Sequence, residues 1–299
     1  MLLAAIDIGS NAVRLFFSNV FEQNEHVVVE KASLMRIPVR LGEDVFVHGK
    51  ISDEKTEKLI KTMKAFRLLM EVNKPVAYRA CATSAMREAK NGKKVIDRVK
   101  EKAGIDIQLI DGVEEARMVS GVQNLDLVHK YNYSLYIDVG GGSTELSLMS
   151  RKGTEASSSF RLGTVRMVNK KEEPGEWDRM KEWLMQFERF FPEMLCVGAG
   201  GNINKIAKLY GRVPEKTLPF NNLEYALNHL QKFTLQQRID LMGLRPDRAD
   251  VILPAARIFY FIMKHTRSKT LLVPKIGLSD GIVIALYKEI QTENKTPAS

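Results

Sequence analysis

Apolar residues recur along the chain with two periods, and the switches between them mark out an alternating α/β protein. Leu3 to Ile8 is a short apolar run stopped by Gly9, and Val13 to Val20 reads as a second strand, so "DIGSN" is a tight hairpin connection. Leu59, Met63, Phe66 and Met70 then recur at helical spacing in residues 52–72, with Ser52 at the N-cap position and Asp53 and Glu54 in the first turn. "PVAYRACATSAMREA" predicts a strand up to Ala80 followed by a helix, "VIDRVKEKAG" a helix closed by Gly104, and "IDIQLI" an alternating strand. After Asp111 a helix is expected through "EEARMVSGVQNLDLV", then strand, glycine turn and strand in "YSLYIDVGGGSTELSLMS". Trp177, Met180, Leu184, Phe187 and Phe191 fall on one helical stripe, the mark of core packing. "CVGAGGNINKIA" joins an apolar run through a third glycine turn to a helix, and a last helix is expected from Asp280 to Glu289 before a polar tail.

Two of these segments are alike. "AIDIGSNAVRL" from Ala5 and "YIDVGGGSTEL" from Tyr136 share the order Ile, Asp, apolar, Gly, small polar residues, second strand, and their aspartates, Asp7 and Asp138, stand 131 residues apart. A repeat at a domain-sized interval implies two duplicated α/β domains, residues 1–124 and 125–299, with a cleft between the two turns.

Composition narrows the class. The 299 residues are 44% hydrophobic and 27% charged, a globular balance. The apolar opening is interrupted by Asp7 and has no basic flank, so neither a signal peptide nor a membrane span is expected, and the location expected is cytoplasmic. Cys81 and Cys196 are far apart, without metal or disulfide spacing, and read as buried apolar residues. A net charge of +9 favours polyanionic partners: nucleic acid, phosphorylated metabolites or polyphosphate. No nucleic-acid motif or aromatic platform accompanies it, which argues against specific nucleic-acid binding.

Candidate chemistry gathers at the turns. Consecutive amides without Cβ atoms let an oxyanion approach closely, so Gly140, Gly141 and Gly142 with Ser143 and Thr144 are candidate phosphate donors, and Asp138 a candidate Mg²⁺ ligand. A plain hairpin needing positive φ would also use glycine. It would not require an aspartate two residues before the turn, and both repeats have one. There is no GxxxxGK[ST] loop, "GAGGNI" lacks the third glycine of a dinucleotide site, HExxH is absent, and the histidines are scattered. In "DGVEEAR", Asp111 and Glu114 match a capping box, which leaves Glu115 available as a general base near a helix N-terminus; an ordinary surface glutamate is the competing reading. Arg87 suits a phosphate oxygen pair, and Arg14 follows the first turn closely.

The ordered series "AAIDIGSNAVRL", "RLGE", "TSAMREAKN", "GVEEAR", "IDVGGGSTEL", "RLGTVRM", "GAGGN", "MGLRPDRADVI" and "LSDGI" resembles the exopolyphosphatase and guanosine pentaphosphate phosphohydrolase family, within the actin and sugar kinase superfamily. The resemblance implies two duplicated actin/ribonuclease-H-like domains with an interdomain active-site cleft. It implies Glu115 as the base, with Arg87 and Asp138 as further catalytic residues. Ser10, Asn11, Arg14, Gly140 to Thr144, Gly200 and Gly201 would bind phosphate, and Asp7, Asp138 and Glu145 would organise Mg²⁺ or Mn²⁺. Its substrates would be polyphosphate or pentaphosphate guanosine, and homodimerisation is implied by the resemblance alone. The chain has no His-Asp pair of the kind found in longer members, and its third turn lacks the usual Ser or Thr. A non-hydrolytic ATP-binding hinge protein is the rival from another class.

Overall fold

The run LLAAIDI forms strand β1 (Leu2–Ile8), and every residue after Leu2 is buried, as in a strand covered on both faces. The expected hairpin follows: β2 (Val13–Gln23) pairs antiparallel with β1, and β3 (His26–Ile37) pairs antiparallel with β2. Helices α1 (Leu41–His48) and α2 (Asp53–Asn73) lead to β4 (Ala77–Ala82), parallel to β1. Ser52 caps α2 as expected, accepting from the Lys55 N–H at 3.3 Å, and Leu59, Met63, Phe66 and Met70 are all buried. Helices α3 (Ser84–Glu88) and α4 (Gly92–Ala103) precede β5, where only Gln108–Leu109 of the expected six-residue strand pair, both with β4. Helix α5 (Gly112–Ser120) follows.

The computed structural model describes residues 1–23, 26–122, 131–212 and 215–295. Residues 123–128 of the helix expected after Asp111 lie outside the described residues, and α5 itself closes at Gly121.

The second half repeats the plan. Strands β6 (Tyr133–Val139), β7 (Thr144–Ser150) and β8 (Gly153–Phe160) form an antiparallel meander. Then come α6 (Thr164–Val168), α7 (Glu176–Met185), a 3₁₀ turn (Glu188–Glu193) and β9 (Met194–Ala199), parallel to β6. Helix α8 (Gly201–Tyr210), β10 (Thr217–Pro219), α9 (Phe220–Gln231), α10 (Leu235–Asp240), α11 (Pro246–Ala249), α12 (Ile252–His265) and β11 (Thr270–Leu272) complete it. The sheet orders are β3-β2-β1-β4-β5 and β10-β11-β9-β6-β7-β8, so β8-β7-β6-β9-β11 reproduces the first sheet and β10 is an addition. Strands β1 and β6, and the starts of β2 and β7, carry the same 131-residue offset as the two aspartates. One α/β plan is thus built twice along the chain.

The chain divides into one unit of residues 1–124 with 278–299 and another of 125–277. The expectation of a second domain unbroken over 125–299 is therefore corrected at its end. Helix α13 (Leu278–Lys295) packs on β1, β4 and α5 of the first unit. Gly281 explains the fit, since a Cβ there would stand 2.3 Å from the Met118 carbonyl oxygen: α13 and α5 meet at backbone contact. In the second unit Met180 and Leu184 are buried among Leu135, Leu146 and Phe259, with Trp177, Phe187 and Phe191 packed around them, as the stripe predicts.

Candidate active site

In the first unit the hairpin turn is held from outside. Gly9 N–H donates to the Ala12 carbonyl (3.1 Å), while the Ser10 and Asn11 carbonyls accept from Gly42 and Arg40 (2.8 and 3.0 Å). The buried Ser10 hydroxyl shares a 2.9 Å hydrogen bond with Ser84 at the start of α3. Arg14 stands opposite Asp7 in the β1–β2 register, and its Nη1 donates to Asp7 Oδ2 at 2.5 Å. The candidate metal ligand and the candidate phosphate ligand of this turn thus neutralise one another.

Arg87 Nη1 donates to the Ile110 carbonyl at 2.5 Å, tying α3 to the residue that precedes the Asp111 N-cap. Asp111 Oδ1 accepts from the Val113 and Glu114 N–H groups (2.9 and 2.8 Å). The other half of the expected capping box does not form, because the Glu114 carboxylate faces the Gln108 side-chain amide at 3.5 Å instead. Glu115 is the glutamate turned inward, only 7% exposed, in the first turn of α5. Burial pushes the Cys81 thiol up to about 12; Arg79 pulls it down, and the negative fields of Asp7, Glu114 and Glu115 add to the rise. One buried sulfur therefore senses both Asp7 and Glu115.

The second unit's turn is built differently. None of Gly140, Gly141 and Gly142 has a positive φ, so conformational freedom is not what selects glycine here. All three carbonyls are tied back to α6: Gly140 O accepts from Thr164 N–H (3.0 Å), Gly141 O from Val165 and Arg166 N–H (2.8 and 3.1 Å), and Gly142 O from Arg166 Nε (2.9 Å). Thr144 Oγ1 donates to the Leu162 carbonyl at 2.6 Å. Gly140 N–H bonds within the turn to Ser143 O (2.9 Å), whereas the N–H groups of Gly141, Gly142 and Ser143 meet no acceptor among the described residues. Carbonyls are held on one side and consecutive amides are left on the other, an arrangement suited to an anion. Gly163 completes the clamp, for a Cβ there would fall 2.3 Å from the Gly142 carbonyl carbon.

Asp138 and Glu145 are direct cross-strand partners, 9% and 2% exposed, so two carboxylates share one buried face. Glu145 Oε1 accepts from Ser159 Oγ at 2.8 Å. The duplicated position in the first unit carries Arg14, and the repeat thus pairs Asp with Arg once and Asp with Glu once. Like charges directly opposite destabilise a sheet unless a cation joins them. Gly200, at φ 95°, leaves room for this acid: a Cβ there would lie 2.8 Å from Asp138 Oδ1, and one on Gly201 would lie 3.2 Å from Arg248 Nη2. Among the described residues no group of three or more His, Cys, Asp or Glu gathers to hold a metal. The Asp138–Glu145 pair does suit Mg²⁺, which takes one or two carboxylates and completes its shell with phosphate oxygens and water.

Sequence reasoning left out Arg166 and Arg248. Arg166 is 3% exposed and sits within the "RLGTVRM" segment; its signal was an arginine among apolar residues just beyond a glycine. Arg248 reads from sequence as one more surface cation.

Clamped glycine amides beside paired carboxylates suit the handling of phosphate. The chain belongs to the Ppx/GppA phosphatase family, whose model matches residues 20–290. It is 26% identical to exopolyphosphatase 1 of Mycobacterium bovis over 95% of this chain and 88% of that one. It is 27% identical to the bifunctional 3-dehydroquinate synthase/phosphatase of Fusobacterium nucleatum over 98% of this chain and 47% of that one. Its fold matches an exopolyphosphatase crystal structure from Cytophaga hutchinsonii with TM-score 0.82, at 22% identity over 97% and 98% of the two chains. The Aquifex aeolicus family member matches with TM-score 0.74, at 24% identity over 99% of each chain. Among the described residues no helix is long and apolar enough to cross a membrane.

Proposed function

We propose that this enzyme hydrolyses the terminal phosphoanhydride of inorganic polyphosphate and releases orthophosphate. The observation that carries the reading is the set of three amides at Gly141, Gly142 and Ser143 with their turn clamped from behind. Such donors receive a terminal phosphate without reorganising, and phosphoryl transfer requires mainly positioning and charge neutralisation. Asp138 and Glu145 are the residues that would hold Mg²⁺ or Mn²⁺, whose contribution when bound is to neutralise phosphate oxygens. Glu115 accepts a proton from the attacking water; the new P–O bond forms in line as the bond to the bridging oxygen breaks, and the shortened chain leaves with that oxygen.

The test is Glu115→Gln. Loss of a general base lowers kcat by about 10² to 10⁴ with little change in KM. Full turnover in this variant rejects the mechanism. Phosphate release compared across long polyphosphate, pentaphosphate guanosine and ATP, with and without Mg²⁺, decides between the proposal and two rivals. Fastest release from pentaphosphate guanosine makes the enzyme a guanosine pentaphosphate 5′-phosphohydrolase; tight ATP binding without release from any of the three makes it a non-hydrolytic hinge protein.

A further inference from the structure

The second unit contains a cavity of about 510 Å³ far from its glycine turns. Pro219 and the partly buried Phe220 form an apolar wall over the core residue Met263, and Lys264, Arg267 and Lys269 surround it. The parallel register places it: Leu271 of β11 lies level with Cys196 of β9, so residues 267–269 precede the strand at one end of the sheet, while Gly200 follows β9 at the other. The separation along the strand is on the order of 15 Å.

The cations here are arranged, not scattered. Helix α12 ends in a Schellman motif, with Ser268 N–H donating to Met263 O (3.0 Å) and Arg267 N–H to Lys264 O (3.3 Å). That motif puts its penultimate residue in the left-handed region, where glycine is the usual choice, yet Arg267 occupies it at φ 54°. Lys74 at the end of α2 is also left-handed (φ 49°), with a single N–H bond to Met70 O, so a cation at a helix end also answers the helix dipole; at α12 the cap comes with two further cations and a cavity. Arg267 pairs with Glu188 at 2.9 Å, but the two side chains are 76% and 47% exposed, and a pair so solvated gives way readily to a phosphate. Phe220 stacks on Tyr260 at 5.3 Å between centroids, which fixes the aromatic wall.

We propose that this cavity binds a nucleoside di- or triphosphate, with the phosphates on Lys264, Arg267 and Lys269 and the base against Pro219 and Phe220, at a site separate from the glycine nest. An inorganic phosphate chain would satisfy the cations and leave the apolar wall in water, whereas a nucleotide covers both; the volume lies within the range of ligand pockets, about 300–1,000 Å³.

The test uses the full chain and a probe of 8-azido-ADP, with ADP and tripolyphosphate titrated by calorimetry. Photolabelling is expected on the peptides around 219–221 and 260–269. Arg267→Gly places the residue the backbone prefers, so the fold is kept while the cation is lost; combined with Lys264→Ala and Lys269→Ala it should weaken ADP binding by about tenfold or more. Phosphate release from polyphosphate should stay at the parent rate. Unchanged ADP affinity in the triple variant, labelling confined to the glycine turns, or loss of hydrolysis together with ADP binding would each overturn the proposal. Tripolyphosphate binding this cavity as tightly as ADP would overturn the role given to the apolar wall.

Discussion

Gly163→Ala isolates the clamp behind the glycine nest. Gly163 lies in extended backbone (φ −145°, ψ 155°), a conformation alanine adopts freely, so the substitution tests space alone. The new Cβ would fall 2.3 Å from the Gly142 carbonyl carbon and 2.5 Å from the nitrogens of Gly142 and Ser143. Ordinary carbon contacts are about 3.5–4 Å, so the segment and the turn must separate by about 1 Å or more. Because the obstruction is backbone on both sides, no rotamer change can absorb it. Overpacking of this kind costs about 1–3 kcal/mol, and a unit of this size loses about 2–4 °C in Tm per kcal/mol. The larger effect is on turnover, because moving positioned groups by about 1 Å can cost about 10²-fold. The assay is phosphate release from polyphosphate beside thermal unfolding, with Gly277→Ala as control, where a Cβ meets nothing within 4 Å and φ is not left-handed. If Gly163→Ala matches the control in both measurements, the clamped-turn argument is wrong.

Further outcomes are expected. Asp111→Ala removes the α5 cap that accepts from Val113 and Glu114, and should cost about 1 kcal/mol by denaturant unfolding, with Asp111→Asn closer to the parent; an unchanged midpoint for Asp111→Ala would contradict the cap. The Cys81 thiol, pushed up to about 12 by burial against 9.0 when free, keeps its proton in the fold after the unfolded chain has lost it. Its contribution is thus complete below pH 9 and is lost as pH rises toward 12, with a slope of about 1.4 kcal/mol per pH unit. Urea unfolding at pH values on either side of 9 should show that decline, shallower in Cys81→Ala; equal declines would count against it. With a net charge of +9, affinity for long polyphosphate should fall with added KCl far more steeply than affinity for a short phosphate ester, and parallel slopes would refute an extended basic track.

The chain's own sequence was enough for the elements whose chemistry is local. The 3.6-residue period of Leu59, Met63, Phe66 and Met70 and the Ser52 cap specify α2 without reference to the rest of the fold. The two Asp-and-glycine hairpins, 131 residues apart, announce the duplication because each is a contiguous stretch. Long-range packing decided the rest. Strand β3 is half exposed and carries no clear alternation, so only its pairing with β2 reveals it. Residues 278–295 read as the end of a second domain, yet the bare backbone at Gly281 lets them close on Met118 in the first. Which glutamate of the Glu114–Glu115 pair turns inward depends on which face of α5 packs against the fold, and strand register sets Asp138 opposite Glu145 as it sets Asp7 opposite Arg14. Periodicity and capping act within a few residues and leave their mark in the string of letters; contacts between distant segments leave none until the chain has folded.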